Sequence, residues 1–238
     1  MIRLIDDEFE FPEIKPDCLF TRIKSSFNAY GNKYDFAWFW YQEVEGETTA
    51  VISKIDGVIT LWCNDNLNKT EFLKFIAAIG FDSLVTSKSL PLCIEQTGNI
   101  YYKENKTELC KLETDLQRAA SVLTNVCKID NYNAWYTDIN YRIRHGCSSA
   151  YCYLGKTCVF AHIAENSAVI FSLITLPDSR GKGYATKCLD LFEHSLKQED
   201  IFVMCENKLN SFYEKRGYDY VNQFYIYNGR DKNGTTFF

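Results

Sequence analysis

The stretch that decides the fold is Leu-Pro-Asp-Ser-Arg-Gly-Lys-Gly-Tyr-Ala, residues 176–185. It follows a nearly all-apolar run at 168–176, typical of a central strand, and it enters 182–197, whose apolar residues recur at helical spacing. The first turn of a helix leaves backbone N–H groups without internal partners at the positive end of the helix dipole. Gly181 and Gly183 permit positive φ angles and let an anion approach the backbone. The segment therefore predicts a strand, a phosphate-binding loop and a helix in succession.

The spacing of the glycines excludes two familiar phosphate loops. A Walker loop needs four residues before Gly-Lys-Ser/Thr, and a dinucleotide fingerprint needs Gly-x-Gly-x-x-Gly; neither occurs here. The residues fit Arg-x-x-Gly-x-Gly/Ala instead, with Arg180, Gly183 and Ala185 at the fixed positions.

A second informative segment is Asn-Ser-Phe-Tyr-Glu-Lys-Arg-Gly-Tyr at 210–218. It follows a short apolar strand at 201–205, and its pattern predicts a helix over 207–216 that ends at Gly217. Tyr213 lies on the inner side of this helix. A phenol, with its pKa near 10, is protonated at neutral pH and can donate a proton.

Together the two segments resemble the GNAT superfamily of acyl-CoA-dependent N-acyltransferases, over roughly residues 106–238. The resemblance implies an α/β (α+β) fold with a mixed, splayed sheet flanked by helices, and acyl-CoA between the fourth and fifth strands. It implies that Tyr213 is catalytic, as the proton donor to the departing CoA sulfur. It also implies that Asn210, in preference to Asn207, contacts the pantetheine or adenylate part.

The resemblance further implies two groups of cofactor-binding residues. Backbone N–H groups of the fourth strand would polarise the acyl carbonyl, at Ile174, Thr175 and Leu176. The loop and the helix start would hold the pyrophosphate, with Arg180, Gly181, Lys182, Gly183, Tyr184 and Ala185.

The general base is the least determined part of the predicted site. The attacking amine must be neutral, so a side chain or a water must take its proton. Many members of the family carry a Glu on the fourth strand, but residues 168–176 contain no carboxylate. Glu165, His162 and His145, each acting through water, and water alone are the alternatives.

A predicted helix at 131–145 is rich in aromatic residues and ends in arginines. In the family this helix borders the acceptor cleft, so its arginines could bind an acceptor that carries a carboxylate or a phosphate. The alternative is an ordinary amphipathic helix with a basic end.

The first half repeats the element order of the second half without its glycine loop. A strand at 2–5 and a helix at 15–30 precede strands at 34–42, 48–55 and 58–63, a helix at 69–79, and strands at 82–86 and 99–103. In the second half the sequence predicts a short strand at 111–114, helices at 115–127 and 131–145, and strands at 149–154 and 157–164. The strands and helices already described for residues 168–216 follow them. We interpret this as two GNAT-like halves in tandem: a degenerate domain at 1–104 that binds no CoA, and the catalytic domain at 105–238.

The composition of the chain limits its possible partners and its location. The chain has 238 residues and a net charge of -5, and an acidic protein is not expected to bind nucleic acid in general. No apolar run approaches the roughly 20 residues of a membrane span, and the N-terminus lacks a signal peptide. The ten cysteines form no C-x-x-C pair, which predicts buried free thiols. We expect a cytoplasmic monomer or homodimer that uses no metal and contacts neither membrane nor nucleic acid.

The sequence thus predicts an N-acyltransferase that moves acetyl from acetyl-CoA, or another acyl group from its CoA ester, to a primary amine. The amine attacks directly in a ternary complex. The alternative is a non-catalytic CoA-binding, sensing or interaction protein on the same fold. The identity of the acceptor and the length of the acyl chain stay open.

Overall fold

The computed structural model describes residues 1–6, 8–106 and 110–229. Within these ranges eleven strands form one mixed sheet in the order β1-β2-β3-β4-β5-β11-β6-β10-β9-β8-β7. The strands of the first half are β1 (Ile2–Leu4), β2 (Ala37–Val44), β3 (Glu47–Ile55), β4 (Val58–Cys63), β5 (Ser83–Thr86) and β6 (Ile94–Glu104). Those of the second half are β7 (Ser148–Tyr153), β8 (Thr157–Ile163), β9 (Ser167–Thr175), β10 (Asp200–Cys205) and β11 (Asp219–Asn228).

Six α-helices in the described residues cover the two faces of this sheet. They are α1 (Cys18–Tyr30), α2 (Lys69–Ile79), α3 (Leu116–Thr124), α4 (Tyr132–Arg144), α5 (Tyr184–Ser195) and α6 (Asn210–Glu214). Single 3-10 turns at Pro177–Ser179 and Asn207–Leu209 precede α5 and α6. The buried clusters place α2, α5 and α6 on one face and α1, α3 and α4 on the other.

Each half contains one parallel strand pair joined by a helix. Strands β4 and β5 are parallel with α2 between them, and β9 and β10 are parallel with α5 between them, while the other neighbours are antiparallel. The two halves share this strand–helix–strand unit, and their duplication stays a prediction. The mixed sheet flanked by helices is confirmed.

The two halves exchange strands. β6, from the first half, lies between β10 and β11 of the second half and pairs with both. β11 in turn lies between β5 and β6. The sheet therefore runs without a break through both halves, and the division at residue 104 stays a prediction about ancestry and function.

Polar contacts also join the halves. Glu193 of α5, which is 2% exposed, accepts from Lys103 Nζ of β6 at 2.5 Å and from the Tyr218 hydroxyl at 2.7 Å. Helix α1 is fixed to the second half by the Ser25 hydroxyl, which donates to the carbonyl of Cys147 at 2.8 Å. These contacts place a first-half helix over strands β8 and β9.

Two predicted details were wrong. Residues 111–114 form no strand. They connect α5 to β7: the Cys110 N–H before them donates to the His194 carbonyl at 2.8 Å, and the Asp115 N–H after them donates to the Ala150 carbonyl at 3.2 Å. The predicted strand at 99–103 is longer, since β6 pairs on both edges. All ten cysteines are free thiols and most are buried, as predicted, while Cys93 is exposed. None of the helices in the described residues is long and apolar enough to span a membrane.

Candidate functional site

A cavity of about 670 Å³ opens between the end of β9, the start of α5 and helix α6. It brings together most of the residues that the two sequence motifs predict. Its lining includes Ile174, Thr175, Arg180, Gly181, Gly183, Tyr184, Ala185 and Tyr213. Two stretches more than 25 residues apart in sequence therefore meet at one site, as the resemblance implies.

The loop before α5 has the geometry of an anion site. Gly181 and Gly183 have φ angles of 73° and 78°, in the left-handed region that glycine adopts without strain. No side chain caps α5, and within the described residues no acceptor takes the N–H groups of its first three residues, Tyr184, Ala185 and Thr186. The positive end of the helix dipole therefore faces the cavity with free donors.

The corresponding helix of the first half begins with a side-chain cap. At the start of α2, the Asn68 carboxamide oxygen accepts from the Glu71 N–H at 3.1 Å. The Glu71 carboxylate itself accepts from the Ile2 N–H at 2.8 Å and lies 3.4 Å from the N-terminal ammonium. The start of α2 therefore has a side-chain cap that α5 lacks; that this half binds no CoA stays a prediction.

Strands β9 and β10 part beside the cavity. Their parallel pairing ends at Ile170 and Val203, and on the other edge β8 skips Phe171, which makes it the extra residue of a β-bulge. Beyond this point the edge of β9 that faces β10 is unpaired in the described residues. An extended acyl chain and pantetheine could pair with that edge.

The direction of the N–H groups corrects the sequence prediction for this strand. The Leu176 N–H donates to the Lys156 carbonyl at 2.9 Å, towards β8 and away from the open edge. Because alternate residues of a strand point their N–H groups to opposite edges, Ile174 also faces β8. Thr175 and Leu173 face the open edge, and the Thr175 carbonyl accepts from Arg180 Nε at 3.2 Å. Of Ile174, Thr175 and Leu176, only Thr175 directs its N–H to the open edge.

Tyr213 is 4% exposed and lines the cavity from α6. Its ring packs between Tyr101, with ring centroids 6.2 Å apart, and Tyr218, at 5.5 Å. Within the described residues no group forms a hydrogen bond with its hydroxyl, so the proton remains available to a ligand. Burial above all, then the charge of Cys205, raises the pKa of Tyr213 and keeps the phenol protonated.

Arg216 is a site residue that the sequence reasoning missed. It lines the same cavity, donates from Nη2 to the Thr186 hydroxyl and from Nη1 to the Phe212 carbonyl at 2.6 Å, and lies 3.6 Å above the Phe212 ring. Its Nε is buried without a partner in the described residues. The sequence shows an arginine directly before Gly217, but only the fold shows that this position lies beside the start of α5.

Three predicted cofactor residues lie outside the cavity lining. Asn210 faces β6, where its Oδ1 accepts from Asn99 Nδ2 at 2.9 Å. Lys182 donates to the Asp178 carbonyl at 2.8 Å on the outer side of the loop. Leu176 packs with the α3–α4 cluster. Their roles in cofactor binding stay predictions.

The candidates for the general base differ in their surroundings. Glu165 is exposed and paired with Lys24 Nζ at 3.0 Å, and His145 is exposed and stacks on Tyr141. His162 is half-buried beside the bulge, with its ring centroid 4.3 Å from that of Phe171. Burial above all, followed by the charges of Arg142 and Arg22, lowers the pKa of His162 well below its usual value, which keeps the imidazole neutral.

A second cavity, of about 860 Å³, lies on the other face, between the first half and α4. Trp135, Asp138 and Tyr141 of α4 line it opposite Tyr30 and Tyr34. Trp135 also packs on Phe160, with centroids 5.7 Å apart, and Phe160 packs on Phe171 at 6.0 Å. The predicted α4 segment therefore borders a cleft that an aromatic chain connects to the bulge. Its Arg142 is buried and bonded to Asp138 and Ser26.

Comparisons with known proteins give one family match and several structures of similar fold. Residues 132–231 match the family described as "Acetyltransferase (GNAT) domain". No curated protein matches the chain in sequence. Similar solved structures include a GNAT-family acetyltransferase from Colwellia psychrerythraea, with 14% identity, coverage of 96% of this chain and 99% of that chain, and a TM-score of 0.50.

Two further structures have the same fold. The GCN5-related N-acetyltransferase from Sphaerobacter thermophilus has 9% identity, coverage of 87% and 90%, and a TM-score of 0.55. A tandem GNAT protein from the clavulanic acid biosynthesis pathway has 8% identity, coverage of 88% and 94%, and a TM-score of 0.50. Residues 132–231 therefore match a GNAT acetyltransferase domain, and the chain shares its fold with a tandem GNAT protein.

Proposed function

We propose that this protein is an N-acetyltransferase that binds acetyl-CoA in the 670 Å³ cavity and transfers the acetyl group to a primary amine. The observation that carries the proposal is the uncapped start of α5, with its two left-handed glycines, opening into the same cavity as Tyr213. The free N–H groups, the helix dipole and Arg216 would hold the pyrophosphate.

The chemistry follows from the strand that ends at this cavity. The N–H of Thr175, at the open edge of β9, donates to the thioester carbonyl and stabilises the oxyanion as the amine attacks. The amine nitrogen forms a C–N bond to the acetyl carbon, and the C–S bond breaks. Tyr213 gives its proton to the departing thiolate. The proton of the amine leaves through water, and His162 is the candidate best placed to receive it, because it is neutral and lies at the bulge.

The experiment that tests the proposal is calorimetric titration of acetyl-CoA into wild type and Gly183→Asp. The substitution adds a carboxylate at the helix start and a side chain at a φ of 78°. A matched control is Gly155→Asp in the β7–β8 turn, where φ is 65° and there is equally open space around the position. We expect micromolar binding by wild type and the control, and at least about a 100-fold loss in Gly183→Asp.

Either of two results would remove the proposal. If the folded wild type binds no acetyl-CoA, the loop is not a binding site for this cofactor. An equal loss in Gly155→Asp would trace the effect to strain and not to the anion site. Binding without acetyl transfer to any amine would instead favour the non-catalytic CoA-binding alternative.

A further inference from the structure

Arg22 occupies an unusual place in helix α1. Residues 18, 22, 25 and 29 form one stripe at helical spacing, and Cys18, Ser25 and Ala29 are buried against the sheet. A small or apolar residue is expected in the middle of such a stripe. The chain has an arginine there, half-buried, with its guanidinium directed to the sheet: Nη1 lies 3.4 Å from Met204 Sδ of β10.

This guanidinium has no counter-ion in the described residues. Three acidic groups on the elements around α1 have other partners. Asp17 accepts from the N–H groups that begin α1, Glu165 pairs with Lys24 at 3.0 Å, and Asp138 pairs with Arg142 at 3.0 Å. A methionine sulfur is only a weak acceptor. A half-buried cation whose partner is a thioether sulfur keeps its charge available to an anionic ligand.

The position of Arg22 is where an acceptor would approach. Met204 is the first residue of β10 beyond its pairing with β9, and Phe171 forms the bulge in β9 at the same level. Both side chains lie on the sheet face that α1 covers, opposite α5. Both keep part of their surface exposed. The place beneath α1 where β9 and β10 part, next to these two side chains, is called the crevice below.

A second, independent observation concerns His162 in the same crevice. Its Nδ1 is buried without a hydrogen-bond partner in the described residues. Its ring lies against Phe171, and both Arg22 and Arg142 are close enough to lower its pKa. With Arg142 neutralised by Asp138, the crevice contains one uncompensated positive charge and one unused imidazole nitrogen.

We propose that the acyl acceptor is an amine that also carries a carboxylate, the simplest class being amino acids, and that Arg22 of the first half binds that carboxylate. His162 adds a hydrogen bond to the same ligand. The reaction itself rests on the proposed acetyltransferase function, but the carboxylate site does not. The role of the degenerate half is then specific: it supplies the residue that selects the acceptor.

Matched acceptors test this selection. Acetyl transfer from acetyl-CoA is measured with the common amino acids and with their methyl esters, which keep the amine and lose the negative charge. Since an ester lowers the pKa of the neighbouring amine, intrinsic reactivity favours the ester, and any preference for the acid must come from the site. We expect wild type to prefer at least one acid over its ester about tenfold or more in kcat/KM.

Arg22→Met should abolish this preference, and Arg22→Lys should keep part of it. Arg118→Met is the matched control, because it removes the same charge from an exposed position on α3, outside both cavities. Binding is measured separately, by titrating N-acetyl amino acids and their methyl esters into the cofactor-free protein. Carboxylate binding that Arg22→Met removes would support the site even if acetyl-CoA did not bind, in which case the proposed function fails and the site remains.

Stability distinguishes a ligand site from a structural role. Because Arg22→Met removes an uncompensated charge, its Tm should equal or exceed that of wild type. The proposal is overturned if no N-acetyl amino acid binds and no acid is preferred, or if Arg22→Met keeps the preference. A lower Tm with unchanged carboxylate preference would assign Arg22 to the fold alone and would also overturn it.

Discussion

Removing the hydroxyl of Tyr213 is the clearest single-residue test of catalysis. Tyr213→Phe keeps the ring between Tyr101 and Tyr218 and removes only the hydroxyl, which has no protein partner in the described residues. We expect kcat to fall by about 100-fold, while the dissociation constant for acetyl-CoA changes little. Tyr220→Phe, at an exposed tyrosine, is the control. An unchanged kcat in Tyr213→Phe would assign the ring to packing only.

The same residue predicts the alkaline side of the pH profile. The pKa of Tyr213 is raised, chiefly by burial, so the phenol remains a donor at pH values where an ordinary tyrosine ionises. The kcat of wild type should therefore not decline through pH 10 because of this group. A decline near pH 10 that disappears in Tyr213→Phe would show an unperturbed phenol and contradict the burial argument.

At this scale the sequence predicts the local backbone geometry. The φ angles of Gly181 and Gly183 and the open helix start follow from a few consecutive residues. The sequence analysis did not identify Arg22 and Arg216, because their surroundings consist of residues that are distant in sequence. The position of Arg22 inside an otherwise buried helical stripe was nevertheless readable from the sequence.

At the scale of elements, Arg216 joins the starts of two helices around the cofactor cavity. Its contacts with Thr186 of α5 and the Phe212 carbonyl of α6 hold its charge beside the free N–H groups. Arg216→Met should weaken acetyl-CoA binding about tenfold by calorimetry. Lys215→Met removes the same charge from the adjacent exposed residue and should bind as wild type does. Equal effects in both variants would mean that only net charge matters.

Element order was predictable, but the direction of backbone groups was not. Residues 168–176 are apolar enough to identify a central strand. The bulge at Phe171 determines which N–H groups face the open edge, and the hydrophobic pattern of the sequence does not reveal a bulge. The sequence prediction therefore named three N–H groups where Thr175 is the only one of them directed to the cleft.

Across the whole molecule, a buried ion pair ties the halves together. Lys103→Met would leave Glu193, which is 2% exposed, without its cation. We expect a loss of about 3 kcal/mol in the free energy of unfolding, measured in urea. The double variant Lys103→Met with Glu193→Gln should lose less, because the charge is gone and the carboxamide still accepts from Tyr218. A double variant that is no more stable than Lys103→Met would refute this account.

The strand exchange makes a stronger prediction about fragments 1–104 and 105–238. In fragment 105–238, β10 and β11 would each lose β6, the strand that lies between them; in fragment 1–104, β5 and β6 would lose β11. Buried side chains on these strands, among them Tyr101 and Tyr227, would become exposed. The cost of unpaired edges and of this apolar surface exceeds what a half-sheet can recover.

We therefore expect neither fragment alone to give a cooperative urea transition or to bind acetyl-CoA. The co-expressed fragments should purify as one complex that binds acetyl-CoA as the intact chain does, because the sheet needs both strands but not the peptide link between the halves. Circular dichroism and calorimetry on the two fragments and the complex measure this. If fragment 105–238 alone unfolds cooperatively and binds acetyl-CoA with wild-type affinity, the second half is an independent domain and the first half is an accessory to it. If only the complex does so, the tandem arrangement is one folding unit, and the degenerate half is retained because the catalytic sheet cannot close without it.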